Sequence, residues 1–149
     1  MLTSEILKGD FLITTDKEKL DVPFIHRFLS TEAGWCDNIP LETVQKSIDN
    51  SLNFGLFHND KQIGFARIIT DYATIAYLGD VFILNEYRKQ GLSKWLMEVV
   101  TNHPELQNLR RWMLITDTAP WLYEKFGFAK VKGSNLYMEK HFPNVYKKD

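Results

Sequence analysis

A single cysteine, Cys36, occurs among the 149 residues. One thiol excludes an internal disulfide and any zinc site built on several cysteines. An excess of one charge is also missing: 18 lysines and arginines stand against 19 acidic residues, for a net charge of −1. Proteins held on nucleic acid by phosphate contacts carry a basic excess, so nucleic acid is not an expected partner. No apolar run approaches the roughly 20 residues that cross a bilayer. The opening, MLTSEILKGD, lacks the basic region and apolar stretch of a secretion signal. A membrane is therefore not an expected partner, and the cytoplasm is the expected location. No repeat, low-complexity tract or Gly/Ser/Pro-rich linker interrupts the chain, so one domain over 1–149 is expected, with Lys147, Lys148 and Asp149 as a frayed tail. His26, His58, His103 and His141 lack metal-ligand spacing, and no metal site is expected.

What is present is an ordinary globular balance, 44% hydrophobic and 25% charged. Phe11–Thr15 reads as a strand. Val22, Ile25, Phe28 and Leu29 fall at helical spacing, and Pro40-Leu41-Glu42 opens a second helix through Ile48. Phe54–His58 and Gln62–Ile69 read as a hairpin turning at Asn59-Asp60-Lys61. A long apolar run, Thr74–Leu84, has β character. The stretch from Gly91 to Asn102 puts Leu92, Trp95, Leu96, Val99 and Val100 on one helical stripe. Trp112–Ile115 reads as a strand and Pro120–Phe126 as a short helix stopped by Gly127, with Asp117 or Thr118 as its cap. Val131 and Leu136–Glu139 suggest a closing pair of strands. The order predicts a mixed α/β domain around one sheet.

The chemistry concentrates where the apolar strand Val81–Leu84 runs through Asn85-Glu86-Tyr87-Arg88-Lys89-Gln90 into the helix at Gly91. A helix start carries backbone N–H groups without partners and a partial positive charge, which suit a pyrophosphate. Gly91 lets the backbone approach, Arg88 and Lys89 add charge, and Ser93 adds a hydroxyl donor. Neither the Gly-Lys-Ser/Thr loop nor the three-glycine dinucleotide fingerprint is present, so an ordinary solvated turn is the competing reading.

Arg88-Lys89-Gln90-Gly91-Leu92-Ser93 resembles the Arg/Gln-x-x-Gly-x-Gly/Ala signature of the GNAT acetyltransferase superfamily, with Ser93 at the last small position. Ile83-Leu84-Asn85-Glu86-Tyr87 is similar to that family's Val-x-Pro-Glu-Tyr lead-in. Leu122-Tyr123-Glu124-Lys125-Phe126-Gly127-Phe128 is similar to its Leu-Tyr-x-x-x-Gly-Phe. The resemblance implies a mostly antiparallel sheet of six or seven strands with about four helices, splayed between the fourth and fifth strands. It implies acetyl-CoA as co-substrate and a primary amine, on a small molecule or an exposed protein group, as acceptor. The backbone of Gln90, Gly91, Leu92 and Ser93 would meet the diphosphate, and Phe82, Ile83 and Leu84 the pantetheine arm. Thr116 stands where many members carry an Asn that contacts the cofactor.

Acetyl transfer to an amine needs a base, a donor for the carbonyl oxygen and an acid for the leaving thiolate. Tyr123 is the expected acid. Asp80, a carboxylate inside an apolar run, is the expected base, and Gly79 beside it suggests a bulge. A backbone N–H between Val81 and Ile83 is the expected carbonyl donor. Trp35, Glu32 and Asp37, with Tyr72, are candidate acceptor contacts, an aromatic and acidic wall for a cation. Cys36 lacks an activating neighbour in sequence and reads as a bystander. Two rival expectations stand: an acyl-CoA-binding sensor of the same fold without catalysis, and an interaction domain whose basic turn is coincidental. The sequence leaves monomer and homodimer open.

Overall fold

The computed structural model describes residues 2–148. Six strands form one sheet in chain order: β1 (Glu5–Lys8), β2 (Phe11–Thr14), β3 (Leu52–His58), β4 (Lys61–Thr70), β5 (Ile75–Ile83) and β6 (Arg111–Met113). The first five pair antiparallel, and β6 runs parallel to β5. Four α-helices accompany them: α1 (Val22–Thr31), α2 (Leu41–Asp49), α3 (Leu92–Thr101) and α4 (Pro120–Glu124).

Two apolar clusters sandwich the sheet. On one face α1 and α2 bury Phe24, Ile25, Phe28, Leu29, Val44 and Ile48 against Phe65 and Phe82. On the other, α3 buries Leu92, Trp95, Leu96, Met97 and Val100 against Leu56, Ala66, Leu78 and Ile83, with Leu122 and Tyr123 of α4 joining them. Each fully buried large apolar side chain contributes about 1.5–3 kcal/mol. Helix α1 starts where the Asp21 carboxylate accepts from the Phe24 N–H at 3.1 Å, which satisfies one of the free amides of its first turn.

The register between β4 and β5 slips once. Phe65 faces Phe82 and Arg67 faces Gly79, so Ala66 alone opposes both Asp80 and Val81. Asp80 adopts the left-handed backbone, with φ of 53°. This is the bulge that Gly79 suggested, built on the aspartate itself.

Three expectations are corrected. Strand β1 was not foreseen: its four residues are all exposed, so no alternation marks it. Gly9, with φ of 59°, and Asp10 turn it into β2. The closing strands at Val131 and Leu136–Glu139 do not form: residues 129–148 hold one 3-10 turn, Ser134–Leu136, and no ladder to β6. Finally, the residue before α4 is Ala119, with no side-chain cap. The Thr116 hydroxyl instead accepts from the Ala119 N–H at 3.1 Å, and Asp117 and Thr118 lie outside the helix. Lys147 and Lys148 lie outside regular structure, and Asp149 falls outside the described residues. Among the described residues no helix is long and apolar enough to cross a membrane.

Candidate active site

The site lies where β5 and β6 part, the fourth and fifth strands when the unforeseen β1 is left out of the count. They pair only from Ile75 to Tyr77 against Arg111 to Met113, and β5 continues alone to Ile83. Leu84 N–H bonds the Ile63 carbonyl at 2.9 Å. Antiparallel alternation then turns the Phe82 backbone toward β4 and the Ile83 backbone toward the gap. Of the three residues expected to offer backbone groups along this strand, Ile83 is thus the one whose edge faces the opening. The Ile83 carbonyl accepts from Arg88 Nε at 3.0 Å, which folds the guanidinium back over the strand end.

A 3-10 turn, Asn85–Tyr87, then carries the chain to α3. Lys89 and Gly91 both take positive φ, 65° and 78°. Gly91 occupies the cap position of α3 and no side chain caps it. Among the described residues, the N–H groups of Gln90, Gly91, Leu92, Ser93 and Lys94 have no partner; the first amide bonded within α3 is that of Trp95, to Gly91 O at 3.1 Å. A Cβ placed on Gly91 would meet nothing within 4 Å, so the turn is open at that position. Unpartnered donors, a helix start and an open approach form a cradle that fits a diphosphate.

Tyr123 of α4 is buried in the core cluster on the α3 side of the sheet. Burial pushes its phenol above the ordinary tyrosine value. Its ring meets Phe128 edge-on at 6.0 Å.

On the opposite face, Asp80 is ion-paired. Arg67 Nε donates to its Oδ2 at 2.8 Å, with the two side chains only 17% and 15% exposed. Arg67 Nη1 also donates to Ser51 Oγ at 3.0 Å, and Trp35 Nε1 donates to Asp80 Oδ1 at a long 3.4 Å. Tyr77 stands close by, its phenol raised by burial and then by the Asp80 charge. Asn53, opposite Arg67 in the sheet, gives both amide protons to the Ile48 and Ser51 carbonyls and keeps a buried Oδ1 without a partner among the described residues.

The structure brings Trp35 to Asp80 but leaves Glu32 and Asp37 exposed on the loop after α1. Tyr72 does not join them. It packs on the α3 face, close enough to Glu105 for that charge to act on it. Its loop is fixed by Asp71, which accepts from the Thr74 hydroxyl and from the Thr74, Ala73 and Ile75 amides and so titrates far below the usual carboxylate range. Cys36 Sγ donates to the Leu29 carbonyl, and burial, with Asp80 and Asp37, pushes its thiol up to about 11. Arg67, Ser51, Asn53 and Tyr77 escaped the sequence reading. A signal for Arg67 exists: it is the one charge within the apolar run Ile63–Ile69, and the 71–74 turn brings that run back alongside the lone carboxylate of the next strand.

The acetyltransferase (GNAT) domain model matches residues 49–130, from β3 to just beyond α4. The chain belongs to the GNAT acetyltransferase family. GNAT acetyltransferases use acetyl-CoA and act on amines, and this member is an acyltransferase by family. A crystal structure of a GNAT-family protein from Xanthomonas campestris pv. campestris is 47% identical, covers 93% of this chain and 97% of its own, and superposes with a TM-score of 0.90. An uncharacterized N-acetyltransferase of Gracilaria tenuistipitata var. liui is 31% identical over 119 residues, 73% of this chain and 65% of that protein. A predicted acetyltransferase from Clostridium acetobutylicum, crystallised with acetyl-CoA, shares the fold at 14% identity and a TM-score of 0.68, covering 94% of this chain and 96% of its own.

Proposed function

We propose that this GNAT chain transfers an acetyl group from acetyl-CoA to a primary amine by direct attack within a ternary complex. The observation that carries the reading is the row of unpartnered amides at Gly91, open to solvent and continuous with the parted strands. The bound acetyl-CoA of the Clostridium acetobutylicum protein, on the same fold, supports it.

Acetyl-CoA supplies the thioester carbon that the amine attacks. The amides of Gln90 to Ser93 hold the diphosphate, with Lys89 and the outer nitrogens of Arg88 adding charge. The Ile83 edge, facing the gap, offers backbone groups to the pantetheine arm in the manner of an added strand. A backbone N–H of the bulge stretch Val81–Ile83 faces the carbonyl oxygen; a donor in that role is worth roughly a hundredfold in rate. Tyr123, kept protonated by burial, donates its proton to the leaving sulfur.

Asp80 takes the proton of the ammonium, directly or through one water. Oδ2 is committed to Arg67, so Oδ1, held only by the long bond from Trp35, is the atom that receives it. Trp35 then lies at the acceptor's entry, where its ring favours a cationic amine. Glu32 and Asp37 add negative potential around it, and Tyr72, on the other face, takes no part in this reading.

Thermal shift with acetyl-CoA, followed by CoA release against a panel of amines, tests the proposal. A ligand at a hundred times its Kd adds about 2.7 kcal/mol, about 5–10 °C for a chain of this size. A shift without amine-dependent CoA release would identify a silent acyl-CoA binder, and no shift at saturation would refute the cradle.

A further inference from the structure

Three aromatic rings meet between the sheet and the turn that leads into α3. Phe11 of β2 and His58 of β3 stand directly opposite each other in the antiparallel register, close enough for their side chains to touch. Their rings stack with centroids 4.7 Å apart and 22° between the planes. The Tyr87 ring meets both edge-on, 6.3 Å from Phe11 and 5.3 Å from His58. The Tyr87 hydroxyl and His58 Nδ1 lie 2.9 Å apart and share a hydrogen bond.

Tyr87 closes the 3-10 turn Asn85–Tyr87 on the way to Gly91. It is partly buried, whereas every other residue from Asn85 to Gln90 is exposed. The remaining bonds of this stretch are local: Tyr87 N–H to the Leu84 carbonyl at 2.9 Å, Arg88 N–H to the Asn85 carbonyl at 3.1 Å and Arg88 Nε to the Ile83 carbonyl at 3.0 Å. Among the described residues, only the bond between Tyr87 and His58 ties 85–90 by hydrogen bond to an element other than the strand they leave. Lys89, with φ of 65°, holds a backbone shape that a non-glycine residue keeps only where its surroundings impose it. An exposed loop with so few contacts opens readily unless it is anchored.

We propose that His58 is a positioning residue for acetyl-CoA. Acting through Tyr87, with Phe11 stacked behind it, His58 clamps the turn to the sheet and keeps the amides of Gln90 to Ser93 aimed in one direction. The proposal rests on the reading that those amides hold the diphosphate. A released turn visits other shapes, and the apparent Kd rises in inverse proportion to the fraction that keeps the competent one. The clamp also accounts for the residue type. A histidine ring is flat enough to stack on Phe11 and carries a nitrogen for the tyrosine hydroxyl, whereas a phenylalanine would stack and leave that hydroxyl unpaired.

Calorimetric titration with acetyl-CoA tests this on the unaltered protein, His58→Phe, Tyr87→Phe and the double variant. His58→Phe keeps a ring on Phe11 and Tyr87→Phe removes one oxygen, so both should keep their circular dichroism. If the cut clamp leaves the turn competent about a tenth of the time, each single variant binds about tenfold more weakly. Both changes cut the same link, so the double variant should bind like the singles rather than about a hundredfold more weakly. Ile48→Val, buried in α2 on the other face of the sheet, is the packing control: it should melt lower and bind acetyl-CoA unchanged. Amide hydrogen exchange without ligand gives a second readout, faster at 89–93 in the His58 and Tyr87 variants and unchanged there in Ile48→Val. Single variants that bind within about twofold of the unaltered protein overturn the proposal and leave the cradle standing. A double variant weakened by the product of the two singles also overturns it, because His58 and Tyr87 then act separately. An unaltered protein that does not bind acetyl-CoA is a different result, and it removes the cradle reading and this proposal together.

Discussion

Replacing Gly91 by alanine separates the geometry of the cradle from the stability of the fold. At φ of 78° an L-residue is strained by about 1–2 kcal/mol. For a domain near 150 residues each kcal/mol moves the midpoint about 2–4 °C, so Gly91→Ala should melt about 2–8 °C lower. Gly9→Ala is the control: Gly9 has φ of 59°, its Cβ also meets nothing within 4 Å, and it lies at the far edge of the sheet. The two variants should melt alike. They should differ in binding, because the methyl at Gly91 stands at the start of α3 beside the amides proposed to hold the diphosphate. Losing one hydrogen bond to a charged group costs about 1.5–3 kcal/mol, roughly a tenfold to hundredfold weaker Kd. Calorimetric titration with acetyl-CoA reads this directly. If Gly91→Ala binds within twofold of Gly9→Ala, the turn does not hold the diphosphate and the reasoning fails.

Tyr123→Phe should lower kcat by about a hundredfold while acetyl-CoA KM changes less than twofold. Because burial raises the phenol, any alkaline decline in kcat due to Tyr123 should fall above its ordinary value near 10, which a pH–rate profile to pH 10.5 checks. Cys36, with its thiol at about 11, should react with a disulfide reagent at pH 7.5 far more slowly in the folded than in the unfolded protein, and Cys36→Ser should keep full kcat. Rapid labelling or lost activity would contradict this. His103 is lowered by burial, so the unfolded chain takes up its proton first as pH falls. Its contribution is complete above about 6.5 and is lost as pH drops toward the folded value. The midpoint decrease between pH 7.5 and 5.5 should therefore shrink in His103→Gln, as melts at both pH values will show.

The backbone path at Gly91 is legible because it is local: an apolar strand, a polar turn, a glycine and an amphipathic helix follow one another in sequence. Helices α1 and α3 were legible for the same reason, their stripes being fixed by the helical period. What the sequence hid is set across strands. The pairing of Arg67 with Asp80 requires the register of β4 on β5; Gly79 hints at a bulge there, but not at which residue of the facing strand the shift brings to Asp80. Tyr72 was grouped with Trp35 by chain order alone, yet strand direction sends it to the other face. The pattern at Leu136–Glu139 does suit a strand; what it lacks within the chain is a ladder partner.

The slip at Asp80 sets the phase of everything after it. With one extra residue, Phe82 lands on the α1 side, stacked on Phe28 at 3.9 Å, and Ile83 on the α3 side. Deleting that residue would invert the parity of the strand end: the phenylalanine would be driven toward α3, and the backbone now turned to the gap would rotate back into the sheet. A shortened loop elsewhere is a local injury, whereas a one-residue loss here would transpose the inside and the outside of the strand that borders the cleft.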